Sequence, residues 1–236
     1  MSSSRGRVEP APAAVRGVAG MITIGQSPRP DITSEIRPLL GPGAGIVEIG
    51  TLDGLAPAEI AAMRPDGGDH TLVTLLRDGR EVLVGRRHVI PRVQTCVDRL
   101  QDEVELIVML CTGTFPSFQT RRPMLYPEHL LFQNARMIAR DGHVGVLTPS
   151  AQQIGDQERR WREVVRAATV RAFSPYVSRD DLDAACSDFL AAGVDVVVLD
   201  CLGYTMALKR CVRELTRKPV LLARTLLARV ASELLE

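Results

Sequence analysis

The sequence lacks an excess of charge of either sign. Its 236 residues carry 29 Lys plus Arg against 28 Asp plus Glu, a net charge of +1. Binding to a phosphate backbone draws on clustered cations, so nucleic acid is not an expected partner. Long apolar runs are also missing. Residues 104–110 and 194–198 are strand-sized, far short of the roughly 18–20 residues that cross a bilayer, so no membrane association is expected. No two of the five cysteines (Cys96, Cys111, Cys186, Cys201, Cys211) form a CxxC pair. The odd count, without a secretory leader, predicts reduced thiols and a cytoplasmic location. The four histidines (His70, His88, His129, His143) make no close ligand pairs with cysteine, which argues against zinc and leaves no metal expected. The glycine-rich stretch 41–45 precedes a strand, the wrong side for a dinucleotide fingerprint, so no NAD or other cofactor is predicted. No repeat of 20 to 50 residues indicates a solenoid.

What is present is an ordinary globular balance, 45% hydrophobic and 24% charged, long enough for one large domain or two small ones. Residues 1–16 are rich in Ser, Ala, Pro and Arg and read as a disordered extension. From residue 17 onward, strand and helix patterns alternate. Strands are predicted at 18–24, 45–52, 104–110, 144–148, 169–173, 194–199 and 219–222. Helices are predicted at 31–40, 56–63, 87–100, 128–140, 151–167, 179–192, 206–216 and 225–235. Pro91 belongs by this reading to the first turn of its helix, and Gly193 to a helix C-cap. Residues 71–76 and 81–85 flank Asp78-Gly79, a strong hairpin signal, because that dipeptide supplies the positive φ of a tight turn. Continuous apolar strands alternating with helices mean an α/β protein with mainly parallel sheets covered on both faces, arranged as two similar lobes. The expected crossing lies in 115–127, where three prolines interrupt the pattern. This gives an N-terminal lobe of 17–118 and a C-terminal lobe of 119–218, with 219–236 packing back onto the first.

In parallel α/β sheets, ligands gather beyond the carboxyl ends of the strands. Two strand-end turns there carry a thiol: Cys111-Thr112-Gly113-Thr114 and Cys201-Leu202-Gly203-Tyr204. In each, an apolar strand leads to a cysteine, with glycine two residues later. A helix N-terminus after such a cysteine would favour the thiolate, and the glycine lets backbone N–H groups approach an anion. Two such turns facing one another would put a thiol on either side of a bound carboxylate, one to remove an α-proton and the other to return one. Against this stands the ordinary fate of a cysteine as a small core hydrophobe, the reading given to Cys96, Cys186 and Cys211. Gln26, Ser27 and Arg29 follow the first strand. Arg29 is either a fork for a second carboxylate or a solvated turn residue. Thr148 and Ser150 follow another strand, where Ser150 serves first as an N-cap. Asp200 beside Cys201 would raise a nearby thiol's pKa and so suit a proton donor. The basic run Arg86-Arg87-His88 reads as a solvated helix start, and Trp161 as a core anchor.

Those two turns, with Thr23-Ile24-Gly25-Gln26-Ser27-Pro28-Arg29, carry a family resemblance. Residues 17–236 resemble the AroM family, within the aspartate/glutamate racemase and hydantoin racemase superfamily. The other matching parts are the Asp78-Gly79 hairpin, Val144-Gly145-Val146-Leu147-Thr148-Pro149, Leu199-Asp200 before Cys201, and the ending from Pro219. The resemblance implies two Rossmann-like lobes with the active site in the cleft between them. It also implies a cofactor-independent racemase or epimerase of a small carboxylate-bearing compound. Cys111 and Cys201 match the catalytic positions, and Thr112, Gly113, Thr114, Leu202, Gly203 and Tyr204 would bind the carboxylate. A homo-oligomer is a further implication. Amino-acid racemases of the superfamily read Cys-Asn-Thr and Cys-Thr-His or Cys-Thr-Glu at these turns, so the side chains for an α-amino group are not evident here. The alternatives are a single-cysteine decarboxylase, isomerase or amide-cleaving enzyme, and a non-catalytic small-ligand binding protein.

Overall fold

A computed structural model describes residues 17–139, 141–175 and 180–236. The extension expected over residues 1–16 lies outside the described residues, as do Arg140 and Arg179, the expected ends of two helices. Among the described residues, ten strands and eight α-helices follow in the order β1 (Val18–Thr23), α1 (Pro30–Leu40), β2 (Gly45–Gly50), α2 (Pro57–Ala62), β3 (Thr71–Leu75), β4 (Glu81–Gly85), α3 (Arg86–Leu100), β5 (Leu106–Met109), β6 (Met124–Leu125), α4 (Pro127–Ala139), β7 (His143–Thr148), α5 (Ile154–Arg162), β8 (Ala167–Ala172), α6 (Asp180–Ala191), β9 (Val196–Leu199), α7 (Met206–Thr216), β10 (Val220–Leu222) and α8 (Ala223–Leu234).

The expected α/β class with parallel sheets is what the chain forms. One sheet runs β2-β1-β5-β6 and the other β8-β7-β9-β10, every pair parallel. Counted from its own first strand, each sheet has the same order: second, first, third, fourth. Both therefore change direction between the first and third strands, the kind of switch point where α/β sheets open a crevice. Cys111 follows the third strand of one sheet, and Cys201 the third strand of the other.

Strand periodicity divides the interior into layers. Leu106, Val108 and Leu110 of one sheet and Val196 and Val198 of the other point into a shared core with α1, α4 and α8. The alternate residues Ile107 and Met109 face a second core with α3, and Val197 and Leu199 a third with α6 and α7. Side chains alternate faces with period two. Cys111 and Cys201 thus continue the outward-facing rows 107-109-111 and 197-199-201, and both pack at the rims of those outer cores. In α1, Ile32, Ile36 and Leu40 recur at every fourth residue and are all buried. In α8, Leu227, Ala228 and Ala231 do the same for the central layer.

The Asp78-Gly79 hairpin forms as expected, with Gly79 at φ 84°. It belongs to neither main sheet, because its two antiparallel arms pair only with each other. Gly193 closes α6 at φ 66°, as the C-cap reading required. Three local expectations need correction. Pro91 lies inside α3, past its first turn. Lacking an N–H, it forfeits one bond to the carbonyl four residues back, while burial of Val89, Val93, Cys96, Val97 and Leu100 holds the helix together. The single helix expected over 151–167 is a 3₁₀ turn, Ala151–Gln153, followed by the shorter α5, and the chain is back in a strand by Ala167. The proline-interrupted segment also contains a short strand, β6, which the sequence reading did not include.

Candidate active site

The turns after β5 and β9 meet. The Thr112 hydroxyl donates to the Asp200 carbonyl at 3.1 Å, joining residues adjacent to the two cysteines although 88 positions separate them in the chain. Cys111 and Cys201 line one cavity together with Ile24, Arg29, Thr112, Gly113, Leu202 and Gly203. As residues Cys111 and Cys201 are partly exposed, whereas Cys96 and Cys186 are buried. In each turn the glycine two residues on donates its backbone N–H to the sulfur, Gly113 to Cys111 at 3.4 Å and Gly203 to Cys201 at 3.3 Å. The two halves of the site thus repeat one local geometry. A side chain at position 113 would crowd Leu72 of the hairpin, since a Cβ there falls 2.9 Å from Leu72 Cδ2.

Electrostatically the site departs from the expectation of a standing thiolate. Burial pushes the Cys111 thiol up to about 12 and the Cys201 thiol up to about 11, outweighing the glycine N–H bonds that act in the opposite direction. No helix begins directly after Cys111, because the next one, α4, starts only at Pro127. After Cys201 the next helix starts at Met206, and its first N–H is taken by the Glu35 carboxylate at 3.0 Å. The helix-dipole argument made from the sequence therefore does not apply to Cys111. Both groups rest as thiols.

Asp200 is buried between the lobes. Its Oδ2 accepts from Trp161 Nε1 at 3.0 Å, and its Oδ1 has no hydrogen-bond partner among the described residues. Trp161 is the fully buried core residue expected of it. Burial, the largest effect, moves the Asp200 pKa upward, against the opposing pull of Arg160 and the Trp161 bond. A carboxyl raised in the folded state keeps its proton after the unfolded chain has released it. It therefore favours folding below the unfolded pKa near 4, and that contribution is lost as pH rises towards the folded value. Asp200→Asn imitates the protonated form and lacks this loss. Its melting temperature relative to the parent is expected to climb as pH rises above the unfolded pKa near 4 in thermal unfolding, and a difference that stays flat from there upward would contradict a raised Asp200.

The other residues singled out from the sequence are distributed as follows. Arg29 is buried at the cavity wall and is not a solvated turn residue. Its Nε and Nη2 grip both oxygens of Asp31 at 2.8 and 2.6 Å, so the fork already holds a carboxylate from the chain itself. Gln26 and Ser27 lie outside the cysteine cavity. Ser27 binds Asp53 through its hydroxyl at 2.6 Å, and Gln26 accepts from the Arg77 N–H at 2.9 Å. Thr114 donates to Glu128 at 2.8 Å, and Thr148 to Gln153 at 2.9 Å. Ser150 accepts from the Gln152 N–H, the N-cap role expected. Tyr204 is a core residue whose hydroxyl donates to the Phe173 carbonyl at 2.6 Å. The structure thus brings together Arg29, Cys111, Thr112, Gly113, Cys201, Leu202 and Gly203, and leaves the other six elsewhere.

Several wall residues were not found from the sequence. The hairpin lies across the cavity and contributes Leu72, Val73 and Thr74, with His70 at its root. From the opposite side α5 and the turn before it supply Gln153, Gln157 and Arg160. These three share the helical face of Trp161, and polar residues at that spacing beside a buried tryptophan were the available signal. Arg160 donates through Nη2 to Glu128 at 2.5 Å and to the Thr112 carbonyl at 3.3 Å, while its Nε and Nη1 are buried with no hydrogen-bond partner among the described residues. Gln157 Oε1 is likewise buried with no hydrogen-bond partner among the described residues. From α8, fully buried Arg224 holds the Leu202 carbonyl through Nε at 3.0 Å and Nη2 at 2.7 Å, fixing the turn that carries Cys201. The cavity measures about 40 Å³, room for little more than a water molecule. A larger cavity of about 740 Å³ lies beside α2 and the hairpin tip, but among the described residues no cysteine, histidine, serine or threonine lines it.

Among the described residues, no cluster of three or more His, Cys, Asp or Glu side chains could hold a metal ion, and no helix is long and apolar enough to cross a membrane. In overall fold the chain is similar to allantoin racemase from Klebsiella pneumoniae (TM-score 0.62, 16% identity, 92% of this chain and 86% of that one). It is also similar to unliganded arylmalonate decarboxylase (TM-score 0.60, 17% identity, 93% and 92%) and to the aspartate racemase of Picrophilus torridus (TM-score 0.55, 14% identity, 92% and 93%). No curated protein matches the chain by sequence. The family described as AroM protein matches residues 19–235, nearly all of the sequence, and the chain belongs to it.

Proposed function

We propose that this protein is a cofactor-independent racemase or epimerase that acts on a small carboxylate-bearing compound through Cys111 and Cys201. The observation that carries the reading is the meeting of the two turns. The Thr112–Asp200 hydrogen bond ties them together, and both thiols open into one cavity. A carbon acid set between two sulfurs loses its proton to one and receives a proton on its opposite face from the other, and its configuration inverts. Arg160 supports a carboxylate ligand, because its buried Nε and Nη1 offer N–H donors that nothing in the described chain accepts. A buried unpaired donor is costly, and an incoming carboxylate would satisfy it. A cavity of about 40 Å³ does not hold such a compound, so entry requires displacement of the hairpin that contributes Leu72, Val73 and Thr74 to its wall, in the manner of other active-site lids.

The test is a screen of D- and L-amino acids and hydantoins in heavy water, followed by mass spectrometry and polarimetry. Uptake of one deuterium at the carbon acid, with loss of optical rotation and no other change of mass, is the expected outcome. Loss of CO₂ or cleavage of an amide would instead assign a single-cysteine reaction. Thermal stabilisation by a compound that never turns over would make the protein a ligand-binding one.

A further inference from the structure

A proton shuttle between two cysteines starts from one thiolate, yet burial holds both thiols in the protonated form at neutral pH. Some group at the cavity must take the first proton. Arg29 and Arg160 have no lone pair to offer. Burial pushes Asp200 towards its protonated form, and its Oδ2 is engaged by Trp161. Of the titratable groups lining the cavity other than the cysteines, His70 remains.

Its surroundings suit a base. The His70 side chain is 14% exposed, and its Nδ1 lies 2.8 Å from Asp156 Oδ2. A carboxylate accepts but does not donate, so the proton of the neutral ring sits on Nδ1 and the lone pair on Nε2. Among the described residues Nε2 has no hydrogen-bond partner. Burial, with Arg160 facing it from α5 and Arg86 from the start of α3, lowers the ring's pKa, while Asp156 works in the other direction. The net direction is downward, so the ring is neutral and able to accept a proton at pH 7.

We propose that His70, oriented by Asp156, is the base that deprotonates the cavity thiol which starts the reaction. The inference rests on the two-cysteine reading above. In the step, the S–H bond breaks with its electrons left on sulfur, an Nε2–H bond forms, and the Asp156 carboxylate stabilises the resulting imidazolium. The competing role is purely mechanical. His70–Asp156 and the Gln153 Nε2 bond to the Thr71 carbonyl at 3.0 Å both fasten the hairpin root to the α5 region. The two roles give opposite signs, because a broken latch would expose the thiols and speed their modification.

The experiment is alkylation by iodoacetamide between pH 5.5 and 9.5, with Cys111 and Cys201 peptides quantified by mass spectrometry in the parent and in His70→Asn. Asparagine retains a donor near the Nδ1 position and loses the Nε2 base. At pH 7.5 one of the two cavity cysteines is expected to react at least tenfold more slowly in the variant, while Cys96 and Cys186 are unaffected. Equal or faster reaction in the variant would overturn the proposal. Should His70→Asn not fold, Asp156→Asn reads the same step, with severalfold slower alkylation expected and no slowing counting against it. If cysteine replacements leave inversion intact, the two-cysteine reading fails whatever the alkylation rates show. If they abolish inversion and alkylation is insensitive to His70, only the role of His70 falls.

Discussion

Alanine at Cys111 or at Cys201 is expected to remove inversion of the substrate carbon, lowering its rate by about 10² to 10⁴, the usual contribution of a positioned acid or base. The two replacements should not be equivalent. With one thiol gone, the remaining one still faces the carbon from its own side and still exchanges the hydrogen it faces. In heavy water, Cys111→Ala should therefore retain exchange into one antipode and Cys201→Ala into the other, while neither interconverts them. Opposite enantiomeric preferences in the two variants are the signature of sulfurs on opposite faces. Water is a poor substitute for the missing group, because it is a weaker acid than a thiol and a weaker base than a thiolate. Neither change should unfold the protein. Each removes one sulfur from a partly exposed residue at the rim of a core, a loss on the order of 1 kcal/mol. Retention of full inversion by either variant, measured by polarimetry on the compound found in the screen, would remove the basis of the mechanism.

The alternation of apolar strands with helices was legible because the main strands are covered on both faces and so carry unbroken hydrophobic runs, as in Val196–Leu199. The positions of Cys111 and Cys201 were legible for the same reason, since each ends such a run. Their meeting was not. It depends on a hydrogen bond between residues 88 apart and on two sheets sharing one layer of helices, and no local pattern encodes either. The hairpin was plain from Asp78-Gly79, yet its place over the cysteines was hidden. Its arms satisfy one another's backbone bonds, so nothing in their sequence names the surface they cover. The thiol pKa values were misjudged in direction. Local turn geometry suggested stabilised thiolates, whereas burial by the opposite lobe and the hairpin dominates. Arg29 illustrates the converse, a residue at the cavity wall whose fork, read from the sequence as free for a second carboxylate, is already occupied by Asp31, two positions along the chain.

The residue with the largest expected effect on stability is Arg224, which no motif marked. It is fully buried, and its guanidinium joins three separate segments. Nε and Nη2 hold the Leu202 carbonyl, and Nη1 pairs with Glu35 Oε2 at 2.9 Å. Glu35 in turn accepts the first N–H of α7. Arg224→Met keeps much of the volume and removes every one of these bonds, leaving a carbonyl without its donors and a carboxylate without its cation. Breaking a buried ion pair from one side costs about 3–5 kcal/mol, with the lower end expected because Glu35 is 24% exposed. For a chain of this size that is a fall in melting temperature on the order of 10 °C. Adding Glu35→Leu should recover only part of the loss, since the Leu202 carbonyl stays unpaired at about 1 kcal/mol or more. The carbonyl belongs to the residue after Cys201, so the damage reaches the chemistry as well. At temperatures where Arg224→Met is folded, turnover should fall while Cys201 reacts faster with iodoacetamide, because the turn that held it can open. A variant within about 1 kcal/mol of the parent in denaturant titration, with Cys201 no more reactive, would mean that the turn keeps its shape without Arg224.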